Sequence, residues 1–221
     1  MSEFSYAHGD TSKGEKPSLT TPFNKSKIGE KLRDIRNGAI PREIPTADEE
    51  TLCFLQTLIG SKRPERILEL GTAVGISAAV MLEACPKSEI TTVERDENFY
   101  IEAKENLASL GLSERAECIL GDADEVIEKL DKEYDFIFLD CAKVQYIKYL
   151  PRLKKLLKKG GLLVADDVLL YGWLTGEAPV PKKRKMLFEH VSEFVNAVTE
   201  DAELFTTIIN IGDGVALCTK R

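Results

Sequence analysis

Residues 67–77 read ILELGTAVGIS, an apolar run that contains one acid, Glu69, and passes into a turn with two glycines. An acid inside a buried strand is costly unless a partner compensates its charge, so Glu69 is a candidate functional residue. The glycines let the backbone approach a ligand at the turn. Their spacing, Gly-x-x-x-Gly, differs from the Gly-x-Gly-x-x-Gly that seats a dinucleotide pyrophosphate at a helix N-terminus. The segment therefore predicts a strand, turn and helix with a ligand near the turn, and argues against a dinucleotide.

Outward from this unit, short apolar runs alternate with stretches of helical periodicity. The five runs are residues 66–70, 90–93, 116–120, 135–139 and 161–165. This alternation predicts repeated strand–helix–strand units, which form a parallel sheet covered by helices on both faces. Near the end, residues 205–211 and 215–219 flank Gly212-Asp213-Gly214, a tight-hairpin pattern, so an antiparallel strand pair should complete the sheet. The predicted fold class is α/β, with seven mostly parallel strands.

The remainder of the chain divides into an arm and a single domain. Residues 1–24 are polar and contain two glycines and two prolines, which predicts a flexible N-terminal arm. Apolar residues recur at helical steps over residues 25–36, and a second helix should begin at Thr46, which forms a capping-box pattern with Glu49. No linker interrupts residues 25–221, so this segment is predicted to be one domain.

Composition excludes several classes of protein. The 221 residues are 43% hydrophobic and 30% charged, as expected for a globular chain, and the net charge of −7 argues against a broadly basic surface for duplex nucleic acid. No charge-free run is long enough to cross a bilayer, so no membrane association is expected. The first residues lack the basic and apolar parts of a secretory signal, and the five cysteines are widely spaced. These features favour reduced thiols and a cytoplasmic protein.

Each predicted parallel strand carries an acid within it or just after it. The six acids are Glu69, Glu94, Asp122, Asp140, Asp166 and Asp167. Because ligands of open α/β sheets bind outside the carboxyl ends of the strands, these acids should converge on one cleft, where their mutual repulsion calls for cationic ligands. Glu94 lies where a carboxylate can bind both ribose hydroxyls, so a nucleoside with a cationic tail is favoured. Asp122 also forms a capping-box pattern with Glu125, so a structural role is an open alternative for it. The Asp166–Asp167 pair could belong to a solvated loop, but adjacent acids opposite Asp140 are better explained by a hard cation.

Five motifs in order resemble the metal-dependent O-methyltransferases of the catechol and caffeoyl-CoA type. The motifs are residues 67–77, Glu94, GDA at 121–123, LDCAK at 139–143 and ADDV at 165–168. The resemblance covers about residues 25–221 and implies a Rossmann-like class I methyltransferase fold with S-adenosylmethionine as cofactor. Within this family, VLLYG at 168–172, the basic run near Lys182 and the Gly-Asp-Gly turn are most similar to bacterial tRNA 5-hydroxyuridine methyltransferases.

The resemblance also implies roles for particular residues. Glu69, Gly71, Thr72 and Ser77 would hold the methionine end of the cofactor, and Glu94 would hold its ribose. Asp122 and Ala123 would border the adenine, and Thr46 would touch the cofactor from outside the sheet. Asp140, also near the cofactor, would join Asp166 and Asp167 in binding Mg²⁺ or another divalent cation, and Lys143 would be the catalytic base beside Asp140. In one departure from the family, Asp167 stands where an asparagine is usual. The additional charge would tighten metal binding, alter metal choice or leave one carboxyl protonated.

The acceptor predicted first is 5-hydroxyuridine in a tRNA anticodon loop, giving 5-methoxyuridine. Residues 181–185, PKKRK, suit phosphate contacts, while Tyr171 and Trp173 suit stacking on an unpaired base. A solvated helix start explains the basic run nearly as well, and the two aromatic residues could instead roof a phenol pocket, so a small catechol-like or caffeoyl-CoA-like acceptor is the alternative. A nicotinamide oxidoreductase and a non-catalytic RNA-binding protein fit the motifs less well. The family also implies a homodimer.

Overall fold

The structure, a computed structural model, describes residues 29–221 as a seven-stranded sheet with helices on both faces. The strands are β1 (Arg66–Leu70), β2 (Glu89–Glu94), β3 (Ala116–Leu120), β4 (Tyr134–Leu139), β5 (Leu157–Ala165), β6 (Leu204–Ile209) and β7 (Val215–Lys220). Their order across the sheet is β3-β2-β1-β4-β5-β7-β6. Neighbouring strands among β1 to β5 are parallel, and β7 is antiparallel to both β5 and β6. The predicted Rossmann-like α/β fold with its antiparallel C-terminal strands is confirmed.

Seven α-helices cover the sheet within the described residues. They are α1 (Gly29–Ala39), α2 (Glu49–Lys62), α3 (Ile76–Ala84), α4 (Glu97–Ser109), α5 (Ala123–Lys129), α6 (Tyr146–Leu156) and α7 (Lys185–Glu200). The side chains of β4 alternate between two apolar cores, since Phe136 and Phe138 pack in one and Ile137 and Leu139 in the other. Both faces of the sheet are therefore buried, which explains why the parallel strands read as continuous apolar runs. No helix within residues 29–221 is long and apolar enough to cross a membrane.

Several helices and strands begin or end at other residues than predicted. The arm at residues 1–24 and the first four residues of the predicted helix lie outside the described residues, and α1 runs on to Ala39. Strand β5 begins at Leu157, four residues before the predicted 161, because the pairing of Leu157 with Tyr134 extends the strand through a polar Lys-Lys-Gly-Gly segment. Such a segment carries no apolar pattern from which a strand would be predicted.

The predicted capping box at Thr46 is wrong. Helix α2 begins at Glu49 with Asp48 as its N-cap residue, and Thr46 stays in the preceding loop. Threonine and aspartate are both favoured N-caps, so the local pattern does not separate them. The buried Ala47 holds the loop against the core, and the helix begins only after it. The N-cap interpretation of Asp122 is confirmed, since its side chain accepts a hydrogen bond from the Asp124 amide.

Candidate functional site

A cavity of about 420 Å³ opens at the carboxyl ends of the parallel strands. Its volume lies within the range of small-molecule and cofactor sites. Of the residues assigned from the sequence, those that line it are Thr46, Gly71, Thr72, Ser77, Glu94, Asp122, Ala123, Asp140 and Lys143. The structure thus brings together side chains from the ends of four strands, as the rule for open α/β sheets requires. Their contacts with a ligand stay a prediction.

Glu69 lies completely buried behind this wall. The hydroxyls of Ser77 and Thr92 each donate a hydrogen bond of 2.5 Å to its carboxyl group, and the Thr72 hydroxyl lies 2.5 Å from that of Thr92. Burial raises the pKa of Glu69 to about 8, although these two hydrogen bonds act in the opposite direction. Glu69 is therefore largely protonated at neutral pH until a cationic group approaches it.

The turn after β1 depends on Gly71. Its φ of +101° is accessible to glycine, and an added Cβ would lie 2.1 Å from the Asp140 carbonyl oxygen. The Asp140 amide also donates to the Leu70 carbonyl at 3.0 Å, so the ends of β1 and β4 are held in direct contact. This contact places the cavity floor beside the acids that follow β4.

Glu94 closes the same turn from β2. One of its carboxylate oxygens accepts from the Ala73 amide at 2.8 Å, and the other accepts from the Arg95 and Asp96 amides, each at 2.9 Å. These bonds fix the carboxylate at the cavity wall and use three of its roughly four lone-pair sites, so one remains for a ligand. Contact of Glu94 with a ribose stays a prediction. Asp96 itself caps α4 by accepting hydrogen bonds from the Asn98 and Phe99 amides, so its side chain has a structural role.

Lys143 joins the acids at the other end of the cavity. Its ammonium lies 2.9 Å from Asp140 Oδ1 and 2.8 Å from Asp167 Oδ2. Burial alone would lower the pKa of Lys143, but the two carboxylates raise it well above its ordinary value. Lys143 therefore holds its proton while both acids are ionised and no other cation balances them.

Asp166 completes this group of acids. Its side chain is almost fully buried, its amide donates to the Leu139 carbonyl at 3.0 Å, and burial with the nearby Asp140 and Asp167 raises its pKa to about 8. Lys143 forms ion pairs with Asp140 and Asp167, so the repulsion among the three acids is only partly compensated. Asp140 and Asp167 are near enough to Asp166 to affect its pKa, and a joint role of the three as a metal site stays a prediction.

The donor atoms of these acids suit a hard divalent cation, which prefers carboxylate oxygens. Asp140 and Asp167 are spaced for an ion pair with Lys143, and among residues 29–221 no three Asp, Glu, His or Cys side chains are grouped closely enough to hold a metal ion. Metal binding by these three residues stays a prediction.

A comparison with known families gives the chain its class. The O-methyltransferase family model matches residues 23–221. The chain belongs to the O-methyltransferase family. Its class, an S-adenosylmethionine-dependent O-methyltransferase of the caffeoyl-CoA type, agrees with the sequence prediction.

Individual relatives of this O-methyltransferase support the same class. A caffeoyl-CoA O-methyltransferase from Populus kitakamiensis is 30% identical over 175 residues, which are 76% of this chain and 74% of the relative. A Staphylococcus aureus structure with a provisional caffeoyl-CoA O-methyltransferase assignment has 33% identity and a TM-score of 0.79, covering 86% of this chain and 92% of that one. TomG from Streptomyces achromogenes, solved in complex with S-adenosylmethionine, shares the fold at 24% identity and a TM-score of 0.78, covering 89% of this chain and 92% of TomG.

Sequence reasoning missed several residues near the acids of this O-methyltransferase. The Thr51 hydroxyl donates a long hydrogen bond of 3.4 Å to Asp166. Burial raises the pKa of Asp48 and of Asp213, and the nearby charge of Asp167 raises both further. Asp48 and Thr51 belong to the start of α2, and Asp213 to the turn between β6 and β7. The Gly-Asp-Gly motif marked this turn, but only tertiary structure shows that it reaches the site.

Cys141 also lines the cavity of this O-methyltransferase, directly after Asp140. Burial, followed by the charge of Asp140, raises the pKa of its thiol to about 12. The sulfur is consequently a neutral thiol at physiological pH and fills space at the cavity wall.

The loop before α7 carries the aromatic and basic residues assigned to acceptor binding. Tyr171 is 72% exposed, and its ring centre lies 5.6 Å from that of Trp173 in a tilted arrangement. The basic residues Lys182, Lys183 and Arg184 form an exposed one-turn helix before α7. Both features are accessible to a ligand larger than a phenol.

Proposed function

We propose that this O-methyltransferase moves a methyl group from S-adenosylmethionine to one hydroxyl of a small acceptor with two adjacent oxygens, as in a catechol or a caffeoyl-CoA-like molecule. The observation that carries the proposal is the position of Lys143, which lies between two carboxylates at the end of a cofactor-sized cavity. A base beside the reacting hydroxyl, with the donor held in line, supplies what methyl transfer requires.

The cofactor would fill the cavity along its length. Glu69 and the Gly71 turn would face its methionine end, Glu94 its ribose, and Asp122 and Ala123 its adenine. TomG, which has the same fold, binds S-adenosylmethionine. The positively charged methionine end of the cofactor would then be the partner that compensates the cost of burying Glu69.

Lys143 would take the proton from the acceptor hydroxyl. It is an effective base only when the charges of Asp140 and Asp167 are balanced by something other than its own ammonium. Asp140, Asp166 and Asp167 would hold Mg²⁺ or another divalent cation, and their oxygens are suitable donors. When bound, such an ion lowers the pKa of a hydroxyl that it coordinates.

The affinity for S-adenosylmethionine should depend on pH through Glu69. A cationic group beside Glu69 favours its ionised form, so binding releases the proton that the raised pKa retains. The Kd should fall by up to about tenfold per pH unit as pH rises toward about 8, and then level off. Calorimetry in buffers of different ionisation enthalpy measures both the Kd and the proton release.

Glu69→Gln should bind the cofactor more weakly and with a flat pH profile, because the amide does not ionise. Glu89→Gln, an exposed acid at the opposite end of the sheet, is the matched control and should keep the slope. A wild-type Kd that does not change over this pH range would contradict a pairing of Glu69 with the cofactor's cationic end.

The acceptor class is tested with purified protein, S-adenosylmethionine carrying a deuterated methyl group, and Mg²⁺. Catechol and caffeoyl-CoA should gain one labelled methyl group by mass spectrometry, and guaiacol, which has one hydroxyl already methylated, should react poorly. Addition of EDTA should abolish the reaction and Mg²⁺ should restore it, because the acids then lose their balancing cation. Turnover of guaiacol at the rate of catechol would contradict the requirement for two adjacent hydroxyls.

A second candidate acceptor is 5-hydroxyuridine in the tRNA anticodon loop, which would become 5-methoxyuridine. It is favoured by the exposed Tyr171 ring and the exposed basic turn at Lys182–Arg184. Bulk tRNA from a deletion strain, incubated with the purified protein, would gain the labelled methyl group in nucleoside analysis. If only tRNA is labelled, the small-molecule proposal fails and the methyltransferase assignment stands.

We also propose that the protein acts in the cytoplasm as a homodimer, as the family resemblance implies. Light scattering coupled to gel filtration measures the mass directly against the 24.6 kDa of one chain. Fractionation of cells that express the tagged protein tests the location.

A further inference from the structure

The loop that follows Asp166 has an unusual concentration of costly backbone geometry. Asp167, Leu170 and Tyr171 have φ values of 56°, 49° and 56°, in the left-handed region that disfavours residues with a side chain. These are three of the six residues other than glycine with positive φ among residues 29–221. Conformations of this kind persist when surrounding contacts hold them in place.

The turn between β6 and β7 supplies those contacts to residues 167–172, called here the acid loop. The Val168 amide donates to the Gly214 carbonyl and the Leu169 amide to the Asp213 carbonyl, each at 2.9 Å. The Tyr171 amide donates to the Asp213 carboxylate at 2.5 Å. An added Cβ on Gly214 would lie 2.2 Å from the Leu169 side chain, so turn and loop are in close contact.

Of the three hydrogen bonds between the turn and the acid loop, only the one to the Asp213 side chain requires a particular residue. Its bond to Tyr171 fixes the amide of a residue with positive φ, whereas the other two bonds join main-chain atoms. Tyr171 projects its ring beside Trp173, and Asp167 at the start of the loop pairs with Lys143. The β6–β7 turn thus holds the start of the acid loop through main-chain atoms and its end, at Tyr171, through the Asp213 side chain.

We propose that Asp213 is a positioning residue, which holds the acid loop in the geometry that places Asp167 and Tyr171 for the acceptor. The effect on the acceptor rests on the proposed function. The effect of Asp213 on the geometry of the acid loop does not, because it is measurable without any reaction. Asp213 does not line the cofactor cavity, so its effect should fall on the acceptor and leave cofactor binding unchanged.

The test uses Trp173, the single tryptophan of the chain, as a reporter inside the region. Asp213→Ala should make Trp173 more accessible to acrylamide quenching and raise the KM for the acceptor by about tenfold, as expected when a charge-assisted hydrogen bond is lost. The Kd for S-adenosylmethionine should not change. Asp213→Asn, which keeps an acceptor oxygen for the Tyr171 amide, should restore both values. Glu114→Ala, at the opposite end of the sheet, is the control and should behave as wild type.

Hydrogen exchange on the wild-type protein provides a second measurement that needs no variant to fold. The amides of Val168, Leu169 and Tyr171 should be protected, because all three donate to the β6–β7 turn. Rapid exchange of these amides, or an Asp213→Asn variant with altered Trp173 quenching and acceptor KM, would overturn the proposal. If no acceptor is methylated at all, the proposed function fails, while quenching and exchange still decide the role of Asp213.

Discussion

Replacing Lys143 with methionine should lower kcat for the methylated acceptor by about a thousandfold, the size expected for loss of a general base. Methionine keeps the length and apolar stem of lysine but has no amine to accept a proton. The Kd for S-adenosylmethionine should change far less, because the remaining lining of the cavity is intact. Single-turnover kinetics with excess enzyme separates the chemical step from product release.

Two further variants distinguish a base from a fixed positive charge. Lys143→Arg retains a cation between Asp140 and Asp167 but does not deprotonate in proteins, so it should also be inactive while keeping the thermal stability of the wild type. Lys155→Met, an exposed lysine on α6, is the matched control for loss of a surface charge. Substantial activity in Lys143→Arg would show that Lys143 acts through its charge alone.

Gly71→Ala should destabilise the protein by about 3 kcal/mol or more, since overpacking and an unfavourable φ each contribute. The new methyl group would meet the Asp140 carbonyl oxygen at 2.1 Å and its carbon at 2.7 Å, and both are backbone atoms that a side-chain rotation does not relieve. Relaxation must separate β1 from β4, which also displaces Asp140. Urea unfolding measures the loss, and cofactor binding by the folded fraction should weaken.

Gly38→Ala is the matched control for this substitution. Gly38 lies in α1 with nothing within 4 Å of its added Cβ and without positive φ, so alanine should stabilise the helix by about 0.5–1 kcal/mol. A Gly71→Ala protein as stable as wild type would show that the contact between the ends of β1 and β4 can open without cost.

The parallel strands were predictable because each is marked by its own short segment of sequence. Each parallel strand is a short apolar run followed by an acid, and residues such as Phe136–Leu139 need only be buried on both faces to be recognised. The start of β5 was not predictable, since its lysines and glycines carry no apolar signal and Leu157 joins the strand only through Tyr134. The prediction of where α2 begins was wrong for a similar reason, because Thr46 and Asp48 are equally suitable N-cap residues in the local sequence.

The site was predictable as far as strand ends define it. Asp140, Lys143, Asp166 and Asp167 follow strands of one sheet, so their convergence follows from topology. Asp48, Thr51 and Asp213 come from the start of α2 and from the β6–β7 turn, and no spacing in the chain relates them to Asp167. The pairing of Lys143 with both Asp140 and Asp167 was visible only in the structure, because the sequence of a one-turn helix does not determine where its side chains point.

The half-buried thiol of Cys141, next to Asp140 at the cavity wall, bears on how this protein avoids methylating itself. Alkyl transfer to sulfur proceeds through the thiolate, and burial keeps the Cys141 pKa at about 12. A sulfur atom at the wall of the cavity assigned to an alkylating cofactor is thus held as the neutral thiol, the form that alkylates slowly, so it competes poorly with the acceptor oxygen. Iodoacetamide should accordingly label Cys141 slowly at neutral pH, and self-methylation should not accumulate during prolonged storage with the methyl donor.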